Sequence, residues 1–152
     1  YFTKYFIAKN KQAQKVVEHV STEFKLNTEQ DRAFKIVANH AIAENPEQLK
    51  MYLGGVGGTG KSGVIKALVK FFEGREESHK FLVLGPTGTS AAQLGGSTYN
   101  SVLGIRDNLG HDVHEENGIR NVRERLRGVE YIFLDEISMV SCAALYAISA
   151  RL

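Results

Sequence analysis

The 152-residue chain contains no tryptophan, two prolines and one cysteine. A single cysteine, Cys142, cannot form a disulfide within the chain, which excludes a disulfide-stapled secreted scaffold and fits a reducing compartment. Apolar runs stay far below the ~20 residues of a membrane-spanning helix, so we exclude a membrane protein. The first residues lack the basic, apolar and small-residue layout of a secretory signal. Because the chain begins with Tyr1 rather than Met, we expect an internal piece of a longer protein.

The remaining composition is ordinary, since 43% hydrophobic and 24% charged residues are typical of one soluble globular domain. The net charge of +2 is too small to indicate a partner. Basic residues are concentrated in two places: residues 1–25 carry five lysines and two glutamates, and residues 119–128 carry four arginines and one glutamate. Either segment could contact a phosphate backbone, but a solvated helix face is the favoured interpretation.

The strongest signal is the octapeptide at residues 55–62, Gly-Val-Gly-Gly-Thr-Gly-Lys-Ser, which matches the G-x-x-x-x-G-K-[ST] phosphate loop. The apolar segment before it predicts a strand over residues 50–54, and helical spacing follows over residues 61–73. Glycines let backbone N–H groups converge on phosphates at a helix N-terminus. We expect Lys61 to contact the β- and γ-phosphates of a nucleoside triphosphate and Ser62 to ligate Mg²⁺. A flexible glycine-rich linker is the weaker alternative.

A second acidic motif at residues 131–136, Tyr-Ile-Phe-Leu-Asp-Glu, ends an apolar run in two carboxylates. The run predicts a buried parallel strand over residues 129–135, and α/β sheets bind ligands at the carboxyl ends of their strands. We interpret Asp135 as the magnesium-side acid of a Walker B motif and Glu136 as the general base for the attacking water. On its own, this motif could be an ordinary strand end with solvated carboxylates. Together with the phosphate loop, it favours a site that hydrolyses a nucleoside triphosphate.

The order of elements predicts an α/β fold. A strand is expected at residues 81–84, and a β-α-β-α-β order implies a parallel sheet with helices on both faces. Asn27 and Gln30 form a predicted capping box at the start of a helix. Residues 1–25 are predicted as helix or loop, and residues 105–118 as a loop. The helix that follows the capping box is expected to end at Asn45-Pro46. Further helices are expected near 89–94 and 98–103, and at 119–127 and 142–152.

Several other residues that could suggest a functional site are better interpreted as loop or core residues. The polar segment at residues 111–116, His-Asp-Val-His-Glu-Glu, is favoured as a solvated loop over a zinc site, because no cysteine is near it. Tyr52 and the eight phenylalanines are interpreted as core. Cys142 lies on an apolar helix face and is expected to be buried rather than reactive.

Four blocks resemble motifs of superfamily 1 helicases. Residues 26–30, Leu-Asn-Thr-Glu-Gln, resemble the Q motif, and residues 54–62 resemble motif I. Residues 85–105 resemble motif Ia and its extension, and residues 135–140, Asp-Glu-Ile-Ser-Met-Val, resemble motif II. The Asp-Glu-Ile-Ser-Met form, with the block Gly-Gly-x-Thr-x-x-Ser-x-x-Gly-Ile, is similar to the petite-integration-frequency DNA helicases (superfamily 1B, RecD-like) and to the helicase domains of Helitron transposons. The resemblance covers about residues 24–152.

The resemblance implies a P-loop NTPase (RecA-like) fold, a three-layer parallel sheet with helices on both faces, incomplete at the C-terminus. Residues 26–152 would be part of that ATPase domain, and residues 1–25 a basic N-terminal extension. It further implies ATP as substrate, Mg²⁺ as cofactor and single-stranded DNA as partner. The resemblance implies an intracellular protein, located in the nucleus or mitochondrion if the source is a eukaryote. It also implies roles in DNA repair, recombination and telomere maintenance.

The resemblance also implies roles for individual residues. Gln30 would contact the adenine, and the phosphate-loop residues would bind ATP with Mg²⁺: Gly55, Gly57, Gly58, Thr59, Gly60, Lys61 and Ser62. Blocks that line the path of single-stranded DNA would contain Pro86, Thr87, Gly88, Thr98 and Asn100. Asn100 stands where the family usually has His, and it cannot become cationic. The alternative for residues 85–105 is a loop with two short helices that pack against the sheet edge.

The chain ends shortly after motif II, so we expect the amino-terminal part of one motor domain. In the family's strand order, the strand between those at 50–54 and 129–135 would follow Leu152. We therefore expect residues 1–152 alone to be marginally stable, to bind ATP weakly and not to unwind DNA. Two alternatives to a DNA helicase stay open: a P-loop ATPase of the remodelling type without nucleic acid, and a nucleotide-binding module without catalysis. The sequence does not indicate an oligomeric state.

Overall fold

The computed structural model describes residues 11–105 and 116–152. These residues divide into two compact units, the first ending at Ser78 and the second beginning at His79. Among the described residues, the regular elements of the first unit are helices, and the second unit contains a parallel sheet of three strands together with helices. The α/β class is therefore confirmed in this general form. No helix within the described ranges is long and apolar enough to cross a membrane.

The described residues of the first unit form three α-helices: α1 (Lys11–Glu23), α2 (Thr28–Ile42) and α3 (Lys61–Gly74). The predicted capping box starts α2, because Asn27 Oδ1 accepts from the Gln30 N–H at 2.9 Å and Gln30 Oε1 accepts from the Asn27 N–H at 3.0 Å. A cap of this kind stabilises a helix by ~1 kcal/mol. Residues 1–25 were predicted as helix or loop, and their described part is the helix α1.

The core of the first unit is aromatic. Phe34 of α2 meets Phe71 of α3 edge to face, with ring centroids 6.1 Å apart, and Phe71 meets Phe72 at 5.2 Å. These three rings are buried, as predicted, and so are Val17 and Val20 of α1. Edge-to-face pairs add about 0.5–1.5 kcal/mol to the burial of their area. This packing fixes α2 against α3.

The segment before the phosphate loop differs from our prediction. Residues 43–60 form neither helix nor strand, so the strand predicted over residues 50–54 is wrong. Its apolar stretch is short and followed by two glycines, and among the described residues it has no neighbouring strand to satisfy its backbone groups. Tyr52, which we assigned to the core, is 79% exposed.

The second unit alternates short strands and helices. In chain order these are β1 (Phe81–Gly85), α4 (Gly88–Gln93), β2 (Ser97–Thr98), α5 (Tyr99–Leu103), α6 (Glu116–Arg125), β3 (Tyr131–Leu134) and α7 (Cys142–Arg151). Short 3-10 helices occur at Ser78–Lys80 and Ile137–Met139. The helices predicted near 89–94 and 98–103 and at 119–127 and 142–152 correspond to α4, α5, α6 and α7 to within a few residues.

The strands are parallel and lie in the order β2-β1-β3. Leu84 of β1 pairs with Leu134 on one side and with Ser97 on the other. The Asp135 N–H donates to the Leu84 carbonyl at 2.8 Å, so the pairing continues one residue beyond β3. A Cβ at Gly96 would overlap the carbonyl oxygen of Val83, and only glycine therefore lets the chain enter β2 so close to β1.

A buried cluster holds α5, α6 and α7 on the sheet of the second unit. Its members come from β1, α5, α6 and α7, namely Leu84, Tyr99, Leu103, Val122 and Ile148. Cys142, which we expected to be buried, is exposed. It opens α7 six positions before Ile148, which places it about 120° away from that buried residue around the helix.

The loop predicted at residues 105–118 ends earlier than expected, because α6 already begins at Glu116. Residues 106–115 lie outside the described residues. The histidines of the polar segment for which we weighed a zinc site, at positions 111 and 114, are among them.

Candidate nucleotide-binding site

The phosphate loop runs into α3 through a left-handed glycine. Gly60 is the N-cap of α3, with φ 80° and ψ 23°, and Gly58 also has a positive φ of 81°. Within the described part of the chain, no side chain caps α3, and its first turn contains no acidic residue. The first N–H groups of a helix lack partners inside the helix and attract anions. The N-terminus of α3 is thus built for an anionic ligand.

Lys61 folds back over the loop that precedes it. Its ammonium Nζ donates to the carbonyls of Gly55 at 2.7 Å and Val56 at 3.1 Å. The Thr59 hydroxyl donates to the same Val56 carbonyl at 2.8 Å. These bonds draw residues 55–61 into a closed turn with a cation at its edge, and the glycines of the turn are exposed. A half-buried cation beside the uncapped start of a helix suits a polyphosphate.

Gln30 connects α2 to the phosphate loop. While its Oε1 accepts from Asn27, its Nε2 donates to the carbonyl of Thr59 at 3.0 Å and, more weakly, points to that of Gly60 at 3.5 Å. A Cβ at Gly60 would collide with the same Nε2. The structure therefore brings two predicted site residues, Gln30 and Gly60, into direct contact.

The predicted acids follow β3. Asp135 is half-buried and Glu136 is exposed. Glu136 adopts a left-handed conformation, φ 50° and ψ 44°, before the 3-10 turn in which its carbonyl accepts from the Met139 N–H at 2.9 Å. Non-glycine residues avoid this region, and those that adopt it cluster at functional sites. The conformation of Glu136 is a signal that the sequence did not provide.

Three predicted segments of the second unit meet at one edge of the sheet. Because β2, β1 and β3 are parallel, their carboxyl ends lie together. Pro86 follows β1, α5 starts at the end of β2 with Thr98 as its N-cap, and Asp135 follows β3. The carboxyl edge of a parallel sheet is where α/β proteins bind ligands. The motif Ia and motif II segments therefore share one edge.

The two threonines assigned to DNA have a structural role. Thr87 Oγ1 accepts from the Ser90 N–H at 3.2 Å and caps α4, and Thr98 Oγ1 accepts from the Ser101 N–H at 3.2 Å and caps α5. Thr87 and Ser90 complete a capping box. Each threonine stands three positions before a serine, a spacing that is typical of an N-cap and that we did not interpret as one from the sequence. Asn100 differs, since its Oδ1 is buried and has no hydrogen-bond partner among the described residues.

The residues assigned to Mg²⁺ have suitable chemistry, each in its own unit. Ser62 offers an exposed hydroxyl in the first turn of α3, and Asp135 offers a half-buried carboxylate. Hydroxyl and carboxylate oxygens are the hard ligands that Mg²⁺ prefers, and it retains several waters and substrate oxygens. In residues 11–105 and 116–152, no three His, Cys, Asp or Glu side chains form a metal cluster. Each of the two oxygen groups is therefore of a chemical type that Mg²⁺ accepts.

The family match covers segments of both units. The model of the PIF1-like helicase family matches residues 25–152, which is most of the chain. The chain belongs to the PIF1-like helicase family. Family membership implies a P-loop NTPase fold, in agreement with the glycine-capped helix and the parallel sheet.

Several curated relatives of this PIF1-like chain are DNA helicases by name. It is 34% identical over 120 residues to the ATP-dependent DNA helicase Pif1 of Bdellovibrio bacteriovorus, a match that covers 70% of this chain and 26% of that protein. It is 32% identical over 135 residues to the ATP-dependent DNA helicase PIF7 of Trypanosoma brucei brucei (85% and 12%). It is 32% identical over 107 residues to the ATP-dependent DNA helicase PIF1 of Saccharomyces cerevisiae (68% and 12%).

The chain spans about a quarter or less of the length of these relatives. No solved structure matches the chain.

Proposed function

We propose that this chain contributes the ATP-binding part of an ATP-dependent DNA helicase that moves along single-stranded DNA and unwinds duplexes. The observation that carries the proposal is the junction of phosphate loop and α3, where a left-handed glycine replaces the usual capping side chain. This arrangement leaves the helix N-terminus for phosphates. Membership of the PIF1-like helicase family and the names of the relatives support DNA as the second substrate.

The residues of the phosphate loop would bind the triphosphate. Lys61 would exchange its two carbonyl partners, Gly55 and Val56, for phosphate oxygens of the β- and γ-groups. Backbone donors of residues 57–60 would bind the remaining oxygens, and Gln30 would contact the adenine, as the resemblance implies. Ser62 and Asp135 would hold Mg²⁺, which, when bound, neutralises charge on the phosphates.

Glu136 would act on the attacking water. Its carboxylate would accept a proton as the water oxygen bonds to the γ-phosphorus and the bond to the β,γ-bridging oxygen breaks. The left-handed backbone fixes where the side chain of Glu136 leaves the end of β3. This rigidity supports a role as a positioned base.

The segment at residues 85–105 would face single-stranded DNA through Pro86, Thr87, Gly88, Thr98 and Asn100. Support comes from its position, since it follows β1 and β2 at the same carboxyl edge as Asp135. Asn100, with its buried unpartnered oxygen, can accept a hydrogen bond from a partner. The nucleus or mitochondrion of a eukaryote would be the place of action, on the basis of family membership alone.

The test uses the full-length protein. ATP hydrolysis is measured with and without single-stranded oligonucleotides, together with unwinding of a duplex that carries a single-stranded tail. We expect hydrolysis to be stimulated by DNA and unwinding to require ATP. A weaker stimulation at higher salt would show contact with the phosphate backbone. Hydrolysis that is indifferent to DNA would instead indicate a remodelling ATPase.

A further inference from the structure

Gln30 uses both ends of its side-chain amide. Its Oε1 is fixed on the first turn of α2 by the Asn27 N–H, at 3.0 Å, and its Nε2 reaches the Thr59 carbonyl, also at 3.0 Å, 29 positions along the chain. The helix that carries Gln30 is locked to α3 by the contact between Phe34 and Phe71. A rigid support therefore extends from the core of the first unit to the phosphate loop.

The Thr59 carbonyl shares its peptide with the Gly60 N–H. No cis peptide occurs in the described residues, so this peptide is planar and trans, with its C=O and N–H pointing in opposite directions. A bond that fixes the carbonyl also fixes the direction of the N–H. That N–H lies directly before Lys61, at the N-cap of a helix that no side chain of the described residues caps. Its direction would matter to any phosphate bound there.

We infer that Gln30 is a positioning residue for the phosphate loop, which holds the Thr59–Gly60 peptide so that its N–H faces a bound polyphosphate. This inference rests on the proposed function and extends it. A contact with adenine alone would make Gln30 important only for adenine nucleotides. If Gln30 positions the phosphate loop through its bond to Thr59, it is equally important for every ligand that carries a polyphosphate.

The experiment compares three ligands, each with Mg²⁺, in the full-length protein: ATP, GTP and inorganic tripolyphosphate, which has no base. Gln30→Glu keeps the oxygen that caps α2 and removes the donor to Thr59. Gln30→Met removes the donor without adding a charge, which controls for repulsion of the phosphates. We expect the Kd of all three ligands to rise by a similar factor, about tenfold, in both variants.

Asn27→Ala is the matched control. It removes the Oδ1 that accepts from Glu29 and Gln30 but leaves the Gln30 amide in place, so it reports the effect of weakening α2 alone. We expect it to lower the melting temperature and to leave the three Kd values within about twofold of the parent.

Several results would overturn the inference. A loss confined to ATP would show that Gln30 serves only the base, and unchanged affinities in both Gln30 variants would show that the bond to Thr59 is dispensable. Equal losses in Asn27→Ala would assign the effect to α2 stability. If the parent protein binds none of the three ligands, the phosphate-loop assignment itself is wrong. Titration of the parent alone shows this before any variant is compared.

Discussion

The phosphate loop and the segment at residues 85–105 are both turns that lead into helices, yet their helix starts differ. The N-terminus of α3 follows Gly60 and has no capping side chain within the described structure. The N-termini of α4 and α5 are capped by Thr87 and Thr98, whose hydroxyls accept from N–H groups of the first turn. At the start of α3 no described side chain occupies the first N–H groups, although the Gly63 N–H donates to the Gly60 carbonyl at 2.9 Å. In the second segment, threonine side chains already occupy such donors.

The caps limit what the two threonines can offer to DNA. A hydroxyl that caps its own helix has its lone pairs partly used, and the Thr87 hydroxyl also forms a hydrogen bond with the Ser90 hydroxyl at 3.0 Å. Contact between the 85–105 segment and DNA would then depend on the exposed backbone near Gly88 and on Asn100 as much as on the threonines. Substitution of Thr87 or Thr98 is expected to change stability as well as binding.

The largest expected effect concerns hydrolysis. Glu136→Gln keeps the size and hydrogen bonding of the side chain but removes the base, so ATP hydrolysis should fall by about 10²–10⁴-fold. The affinity for ATP with Mg²⁺ should survive. Asp135→Asn should instead weaken the magnesium-dependent part of binding, because it removes a charged ligand. Turnover and nucleotide titrations separate the two, and identical behaviour of both variants would show that our division of roles is wrong.

The next effect concerns the cation of the loop. Lys61→Ala removes the ammonium that now contacts Gly55 and Val56, and in the full-length protein ATP hydrolysis should fall by at least ~100-fold. Lys61→Arg is the matched variant. It keeps the positive charge but replaces the compact ammonium with a planar guanidinium, so it should recover little ATP hydrolysis. Turnover of Lys61→Ala within a few-fold of the parent would refute the assignment of the phosphate loop.

The smallest effect concerns the capped helices. Thr87→Ala and Thr98→Ala should each lower the free energy of unfolding by ~1 kcal/mol, because each loses an N-cap. Thr→Asn at either position restores a good cap while replacing the hydroxyl group. Thermal melts and DNA-stimulated ATPase are measured for all four variants. If the threonines contact DNA, the stimulation of ATP hydrolysis by DNA should stay low in the Asn variants although their melting temperatures return to that of the parent. Hydrolysis without DNA should persist in all four variants. Full recovery of the DNA stimulation in the Asn variants would mean that the threonines act only as caps.

Much of the site could be predicted from the sequence because its signals are local. A phosphate loop is defined by glycines and a lysine at fixed spacing, and a capping box by residues three apart, as at Asn27 and Gln30. Helix periodicity predicted α3 to within one residue. The capping signal predicted the start of α2, but α2 ends at Ile42, before the predicted stop at Asn45-Pro46. The apolar run before Asp135 predicted β3 for the same reason.

Features that depend on distant partners could not be predicted. The bond from Gln30 to Thr59 joins residues far apart in sequence, and neither residue type demands the other. The two residues of β2 show no periodicity, and they form a strand because Gly96 lets them approach β1. The segment at 50–54 shows the converse, because an apolar pattern alone does not make a strand without a neighbour. The left-handed Glu136 is likewise set by the turn that follows it.

The central claim is that the start of α3, and not the starts of α4 and α5, receives the phosphates. Hydrogen–deuterium exchange of the backbone amides tests it most directly, in the full-length protein with and without a non-hydrolysable ATP analogue and Mg²⁺. We expect the analogue to slow exchange at residues 57–63 and to leave residues 88–91 and 99–101 unchanged. Protection of the capped helix starts without protection of residues 57–63 would contradict the account.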